Sequence, residues 1–168
     1  MGEAAGQGTV LEVGIGTGTS LPYYQPGVTL SGIDLSPGML AVARRHAVQL
    51  GMVAELQVMD AERMDFPDHA FDCVIFSLCL CTVPHPERAI AEGLRVVKPA
   101  GRLIFLEHVR SNLPPVAALQ WLLSLATVPL QQDHWDRRTP ELVRECGVTV
   151  VSERRWLLGM FDLLIGEA

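Results

Sequence analysis

The run "VLEVGIGTGTSLPYY", Val10 to Tyr24, sets an apolar stretch against three glycines at alternate positions. Val10, Leu11 and Val13 read as a strand buried on both faces, stopped by Gly14. Gly14, Gly16 and Gly18 give the spacing G-x-G-x-G. A dinucleotide site needs G-x-G-x-x-G, which rests a pyrophosphate on bare amides at a helix N-terminus. Glu12, two residues before the first glycine, is a poor neighbour for a diphosphate and a good one for a cationic ligand.

Outward from this turn, short β-rich runs alternate with helical patterns. "VTLSGIDL", "AELQVMD", "FDCVIFSL" and "GRLIFLEHV" read as four further strands. "SPGMLAVARRHAVQLG" predicts a helix capped by Ser36, opened by Pro37 and stopped at Gly51. "HPERAIAEGLRVVKPAG" repeats the design, with Pro99 and Gly101 ending it before the fifth strand. Strand, helix, strand closes as right-handed crossovers in a parallel sheet covered on both faces. After Val109 come a long apolar helical stretch, a short helix "TPELVRECG", and two β-like runs, "VTVVSERRWL" and "FDLLIGEA", around a Gly159 turn. The expectation is one α/β domain over residues 1–168, with a terminal hairpin on an open sheet.

In such a sheet the ligand lies beyond the carboxyl ends of the strands, at the point where strand order reverses. Asp34 ends the second strand, where two ribose hydroxyls would donate to its carboxylate, and Asp60 closes the third. Composition trims the alternatives. The chain has 168 residues, 49% of them apolar and 19% charged, with a mean hydropathy of +0.26, an oily balance that suits a greasy partner or substrate. A formal charge of −6 without a basic run argues against nucleic acid. Cys73, Cys79, Cys81 and Cys146 lack zinc-knuckle spacing and read as free thiols of a reducing, cytoplasmic setting, with no metal expected. Met1 leads into Gly, Glu and Ala with no secretory pattern. "PPVAALQWLLSLATVPL", Pro114 to Leu130, is broken by Pro and Gln and falls short of the roughly 20 apolar residues of a spanning helix, so its reading is peripheral contact with a membrane.

Four motifs in order, "LEVGIGTG", "GIDLSPGML", "VMDAERMDFPDHAFDCVIFS" and "RVVKPAGRLIFLEH", resemble the class I S-adenosylmethionine-dependent methyltransferases from about Val10 to Val109. The resemblance implies a Rossmann-like, doubly wound, mostly parallel seven-stranded sheet whose last strand inserts antiparallel. It implies S-adenosyl-L-methionine as cofactor and S-adenosyl-L-homocysteine as product. By this likeness Gly14, Gly16 and Gly18 let the cofactor approach the backbone, Glu12 organises the loop and the methionyl amino group, and Asp34 with Leu35 holds the ribose. Met39 packs near the adenine, Asp60 and the Ala61 amide read its edge, and Ser77 and Leu78 face the methionine part.

The acceptor is the open question. An Asn/Asp-Pro-Pro-aromatic box, used on planar nitrogens, is absent from "SLCLCTVP". His108, closing the fifth strand, is the candidate to take a proton from or orient the acceptor, with Glu107 on the opposite side. Tyr23 and Tyr24 are candidates to line the acceptor pocket, whereas His85, Cys79 and Cys81 read as cap and packing residues. "EVGIGTGTSLPYY" and "VPHPERAIAE" look most like the phosphatidylethanolamine N-methyltransferases and quinone C-methyltransferases. "SLCLCTVPHPERAIAEGLRVVKPAGRLIFLEHV" also resembles the alkyl-thiol S-methyltransferases. These likenesses imply a small apolar or lipid-headgroup acceptor, a phosphatidylethanolamine-type amine first and a thiol as the alternative. Relatives carry a helix ahead of the first strand, and here only nine residues precede Val10. The expectation is an incomplete acceptor pocket, a pocket completed by a second copy in a homo-oligomer, or a truncated chain; a cofactor-binding partner subunit without activity is the reading from another class.

Overall fold

The computed structural model describes residues 8–131 and 137–168. Seven strands form one sheet: β1 (Thr9–Val13), β2 (Thr29–Asp34), β3 (Ala54–Val58), β4 (Phe71–Ser77), β5 (Val97–His108), β6 (Thr149–Trp156) and β7 (Phe161–Glu167). Their order is β3-β2-β1-β4-β5-β7-β6. β1 to β5 pair in parallel, and β7 runs antiparallel between β5 and β6. The helices are α1 (Pro37–Gln49), α2 (Pro86–Val96), α3 (Pro114–Gln131) and α4 (Thr139–Glu145).

β1 lies between β2 and β4, so Val10, Leu11 and Val13 bury against helices on both faces. The same position explains the unbroken apolar run of β4, where Phe76 stacks on its register partner Phe105 at 5.1 Å. α1 starts where the sequence predicts. The Ser36 hydroxyl accepts from the Met39 amide at 3.3 Å, a cap worth about 1 kcal/mol, and Leu40, Ala43 and Ala47 form the buried stripe.

One boundary moves. α2 ends at Val96, not at Pro99, and β5 already starts at Val97. The ladder to β4 slips between Phe71 and Cys73, and Ala100 takes a φ of 59°. Pro99 has no amide to give a ladder, so the strand accommodates it in this irregular stretch, pinned by a Lys98–Asp72 ion pair at 2.7 Å. The terminal hairpin supplies β6 and β7, and its turn carries Gly159 at a φ of 77°.

The strand order reverses between β1 and β4. The turns after β1, β2, β3 and β4 therefore meet at one edge, the carboxyl edge of the sheet.

Candidate active site

The loop after β1 is built from its glycines. Gly14, Gly16 and Gly18 have φ of 72°, 56° and 76°, a region that side chains rarely adopt. Gly14 and Ile15 both donate to the Ile33 carbonyl, at 2.9 and 3.1 Å, which folds the loop across the end of β2. A Cβ on Gly14 would lie 2.3 Å from the Cys79 Cβ, so the turns after β1 and β4 touch through a bare Cα. Gly18 faces inward, where a Cβ would meet Leu21 and Ala43, and serves the seat of α1.

Asp34 is locked by two amides: Oδ1 accepts from Ser36 at 2.8 Å and Oδ2 from Gly16 at 3.0 Å. Both are charge-assisted, and together they aim the carboxylate at a pocket of ≈ 210 Å³. Gly14, Leu35, Asp60 and Ala61 line the same pocket, as do Cys79, Thr82, Val83 and Pro84. Asp60 accepts from the Glu62 amide at 2.9 Å through Oδ1. Met39 stands half exposed over the glycine loop, its sulfur 3.8 Å from where a Gly16 Cβ would be.

Glu12 does not face that pocket. Its carboxylate is buried and accepts from the Ser20 hydroxyl at 2.7 Å and the Tyr24 hydroxyl at 2.9 Å. Burial pushes the carboxyl up to about 7 against the pull of these two donors. Tyr24 titrates far above its usual range, because its phenol is buried and donates to a carboxylate. Ser20 and Tyr24 open on their other side to a second pocket of ≈ 310 Å³, shared with Thr19, Tyr23, Ser77, Leu78 and Leu106. Leu78 and Cys79 are consecutive, and each lines one of the two pockets.

The segment after β4 is held from below. Glu107 is fully buried, and its Oε1 accepts from the Cys79 and Leu80 amides at 3.1 and 3.0 Å. Burial pushes this carboxyl up to about 7. Arg137 Nη1 donates to the Leu80 carbonyl at 2.7 Å. His108, one residue on, faces the other way and packs edge-on to Phe161 at 4.3 Å. The described lining residues of the two pockets do not include it.

A family model for a methyltransferase domain matches residues 11–105, more than half the chain. The chain belongs to the class I S-adenosylmethionine-dependent methyltransferases. It is similar to the phosphatidylethanolamine N-methyltransferase of Cereibacter sphaeroides, 43% identical over 119 residues, covering 70% of this chain and 59% of that one. It is similar to the demethylmenaquinone methyltransferase of Renibacterium salmoninarum, 39% identical over 116 residues, covering 68% and 47%. The chain thus spans about half the length of the curated relatives it matches. In fold it follows a SAM-dependent methyltransferase of Methanosarcina mazei with a TM-score of 0.75 at 22% identity, covering 95% of this chain and 91% of that one. The family's cofactor is S-adenosylmethionine.

Set out on the methyltransferase fold, the residues named from sequence divide into groups. Gly14, Asp34, Leu35, Asp60 and Ala61 share the first pocket. Tyr23, Ser77 and Leu78 share the second. Glu12 supports the wall between loop and pocket, and His108 stands apart on the β5–β7 ladder. The sequence reading missed Thr82, Val83 and Pro84, the Ser20 and Tyr24 bonds to Glu12, and the grip of Glu107 on the segment after β4. "SLCLCTVP" carried the signal for the first, since an apolar run that ends in Thr-Val-Pro directly after a strand cannot extend it. The others are contacts between distant segments that no local pattern encodes.

Proposed function

We propose that this chain transfers the sulfonium methyl of S-adenosylmethionine to a lipid-headgroup amine of the phosphatidylethanolamine type. The observation that carries the reading is the pair of pockets divided at Leu78–Cys79, one with carboxylates at the strand ends and one walled by tyrosines and leucines. The donor set of the first pocket fits the cofactor. Asp34, fixed by two amides, would accept from the ribose hydroxyls, and Asp60 with the Ala61 amide would offer an acceptor and a donor to the adenine edge. The bare Gly14 lets the turn after β4 pack directly on the glycine loop through Cys79.

Bound S-adenosylmethionine supplies an electrophilic methyl on a cationic sulfonium. Glu12 braces the glycine loop from behind, its buried carboxyl accepting from Ser20 and Tyr24. The pocket is open to water at Tyr23 and Leu78, so an ammonium can pass its proton to solvent and attack in line as the free amine. Ser77 and Tyr23 offer hydroxyls that orient it. Positioning and exclusion of water supply most of the acceleration in such a displacement. The 43% identity to a phosphatidylethanolamine N-methyltransferase supports the amine over other acceptors.

The test is transfer of labelled methyl from the cofactor to a panel of phosphatidylethanolamine, a demethylated quinone and an alkyl thiol. Label on the lipid amine is the expected result. Label on the thiol or the quinone alone replaces the acceptor. Cofactor binding without transfer to any of them overturns the amine reading and favours the inactive partner subunit.

A further inference from the structure

α3 is packed inside out. Its stripe toward the protein is Ala117, Gln120 and Ser124, all buried, while Leu119, Trp121, Leu122 and Leu125 are each more than half exposed. The inward stripe is used: Gln120 Oε1 accepts from the Ser111 amide at 2.7 Å, and its Nε2 donates to the Val109 carbonyl at 2.9 Å. A helix facing water has the opposite distribution.

A second element shows the same display. The turn between β6 and β7 carries Leu157 and Leu158, both well exposed and both at positive φ. His108 pairs with Phe161, so this turn sits at the carboxyl end of β5, the edge of the sheet where the two pockets open. The two elements are joined: the Ser111 hydroxyl, just ahead of α3, donates to the Leu158 carbonyl.

We infer that the outward face of α3 and the Leu157–Leu158 turn form one docking surface for an anionic lipid bilayer. Three observations favour lipid over a protein partner. Specific protein interfaces carry about one hydrogen bond per 100–200 Å² to fix their register. Here the polar side chains of known placement on α3, Gln120 and Ser124, are turned inward, and the outward face offers apolar groups that need only a fluid apolar phase. Each apolar segment is also preceded by an exposed arginine, Arg110 before α3 and Arg154 before the turn. The carboxylates toward this end of the same strands are withdrawn: Glu107 and Asp162 are buried, and Glu153 is paired with Arg144, while Glu167 lies at the far end of β7. In a chain with net charge −6, this edge presents cations beside leucines, the complement of anionic headgroups over acyl chains. No helix among the described residues is long and apolar enough to cross a membrane, so the contact is interfacial.

The inference deepens the lipid-acceptor reading but is tested apart from it. The full chain is sedimented with vesicles of phosphatidylcholine containing phosphatidylglycerol, and with vesicles of phosphatidylcholine alone. Binding to the anionic vesicles, weakened by salt and accompanied by a blue shift of Trp fluorescence that Trp121→Phe diminishes, is expected. Leu122→Asp combined with Leu158→Asp should lower the bound fraction at least tenfold with melting temperature and cofactor affinity unchanged. Retention of wild-type vesicle binding in that variant overturns the inference. So does wild-type protein that stays in the supernatant with both vesicles, or a concentration-dependent dimer that the two substitutions dissolve. If the vesicle result holds and no methyl reaches phosphatidylethanolamine, it is the acceptor that is wrong and the surface stands.

Discussion

Gly14 and Cys79 meet across the reversal of strand order, with the site of a missing Cβ only 2.3 Å from the Cys79 Cβ. Gly14→Ala therefore meets two obstacles, a φ of 72° and a collision with a buried side chain. The strain alone costs about 1–2 kcal/mol, and the collision adds about 1–3 kcal/mol. Cys79→Ala keeps the Cβ and should not relieve it, whereas Cys79→Gly in the Gly14→Ala background should recover the collision and leave the strain. Urea unfolding of the four proteins measures both, and equal losses for Gly14→Ala in either background would show that the clash is absorbed by backbone movement.

The strand–helix alternation was legible because each signal is local: apolar runs for strands covered on both faces, Ser36 and Pro37 for a helix start, Gly51 for its stop. The first-pocket acids were legible for a similar reason, since Asp34 and Asp60 follow strands whose carboxyl ends must converge. Glu12 was legible as an acid near the loop but not as one gripped by Ser20 and Tyr24, because a hydrogen bond over twelve residues leaves no period in the sequence. The early start of β5 was hidden by Pro99, which ordinarily stops an element and here sits in an irregular stretch of one. The apolar segment from Pro114 was legible as oily but not as inverted, because Gln120 reads as solvent-facing until its partners Val109 and Ser111 are known.

Asp34→Ala removes a carboxylate whose outer lone pairs are assigned to two ribose hydroxyls. Hydrogen bonds to a charged acceptor are worth about 1.5–3 kcal/mol each, so cofactor affinity should fall by about one to three decades. The same change frees the Gly16 amide from its acceptor, which loosens the loop as well. Asp34→Asn separates the two effects, because an amide oxygen can still accept from Gly16 while charge is lost. Calorimetric titration with S-adenosylhomocysteine on both variants is the measurement, and unchanged affinity in both would remove Asp34 from the site.

Glu12 and Glu107 give stability a direction in pH. Both carboxyls are raised by burial from about 4.5 to about 7 in the folded chain. The folded state therefore holds protons that the unfolded chain has released, and the contribution to stability falls as pH rises from about 4.5 to about 7. Glu107→Gln keeps an oxygen for the Cys79 and Leu80 amides and cannot ionise. Relative to wild type it should gain stability steadily across that window and level off above it. Urea midpoints at intervals between pH 4 and pH 8 test this, and parallel curves for the two proteins would show that Glu107 titrates at an ordinary carboxyl value.

Tyr23 and His108 are the two candidates for handling the acceptor, and their positions call for different outcomes. Tyr23 lines the pocket beside Ser77 and Leu78 and is largely exposed, free of burial constraints on its own fold. Tyr23→Phe removes one hydroxyl from the acceptor and should raise KM severalfold, with cofactor affinity and melting temperature intact. His108 packs on Phe161 across the β5–β7 ladder, so His108→Gln removes a ring contact worth about 0.5–1.5 kcal/mol and should appear first as lost stability. A general base would behave otherwise: its loss lowers kcat by about 10²–10⁴ and abolishes a pH dependence near neutrality. An amine that sheds its proton to water at the open pocket requires no such base, so the expected result for His108→Gln is a pH–rate profile parallel to wild type on phosphatidylethanolamine. A flattened profile with a hundredfold lower kcat would return the proton transfer to His108, and would mean that its ring leaves Phe161 when the acceptor binds.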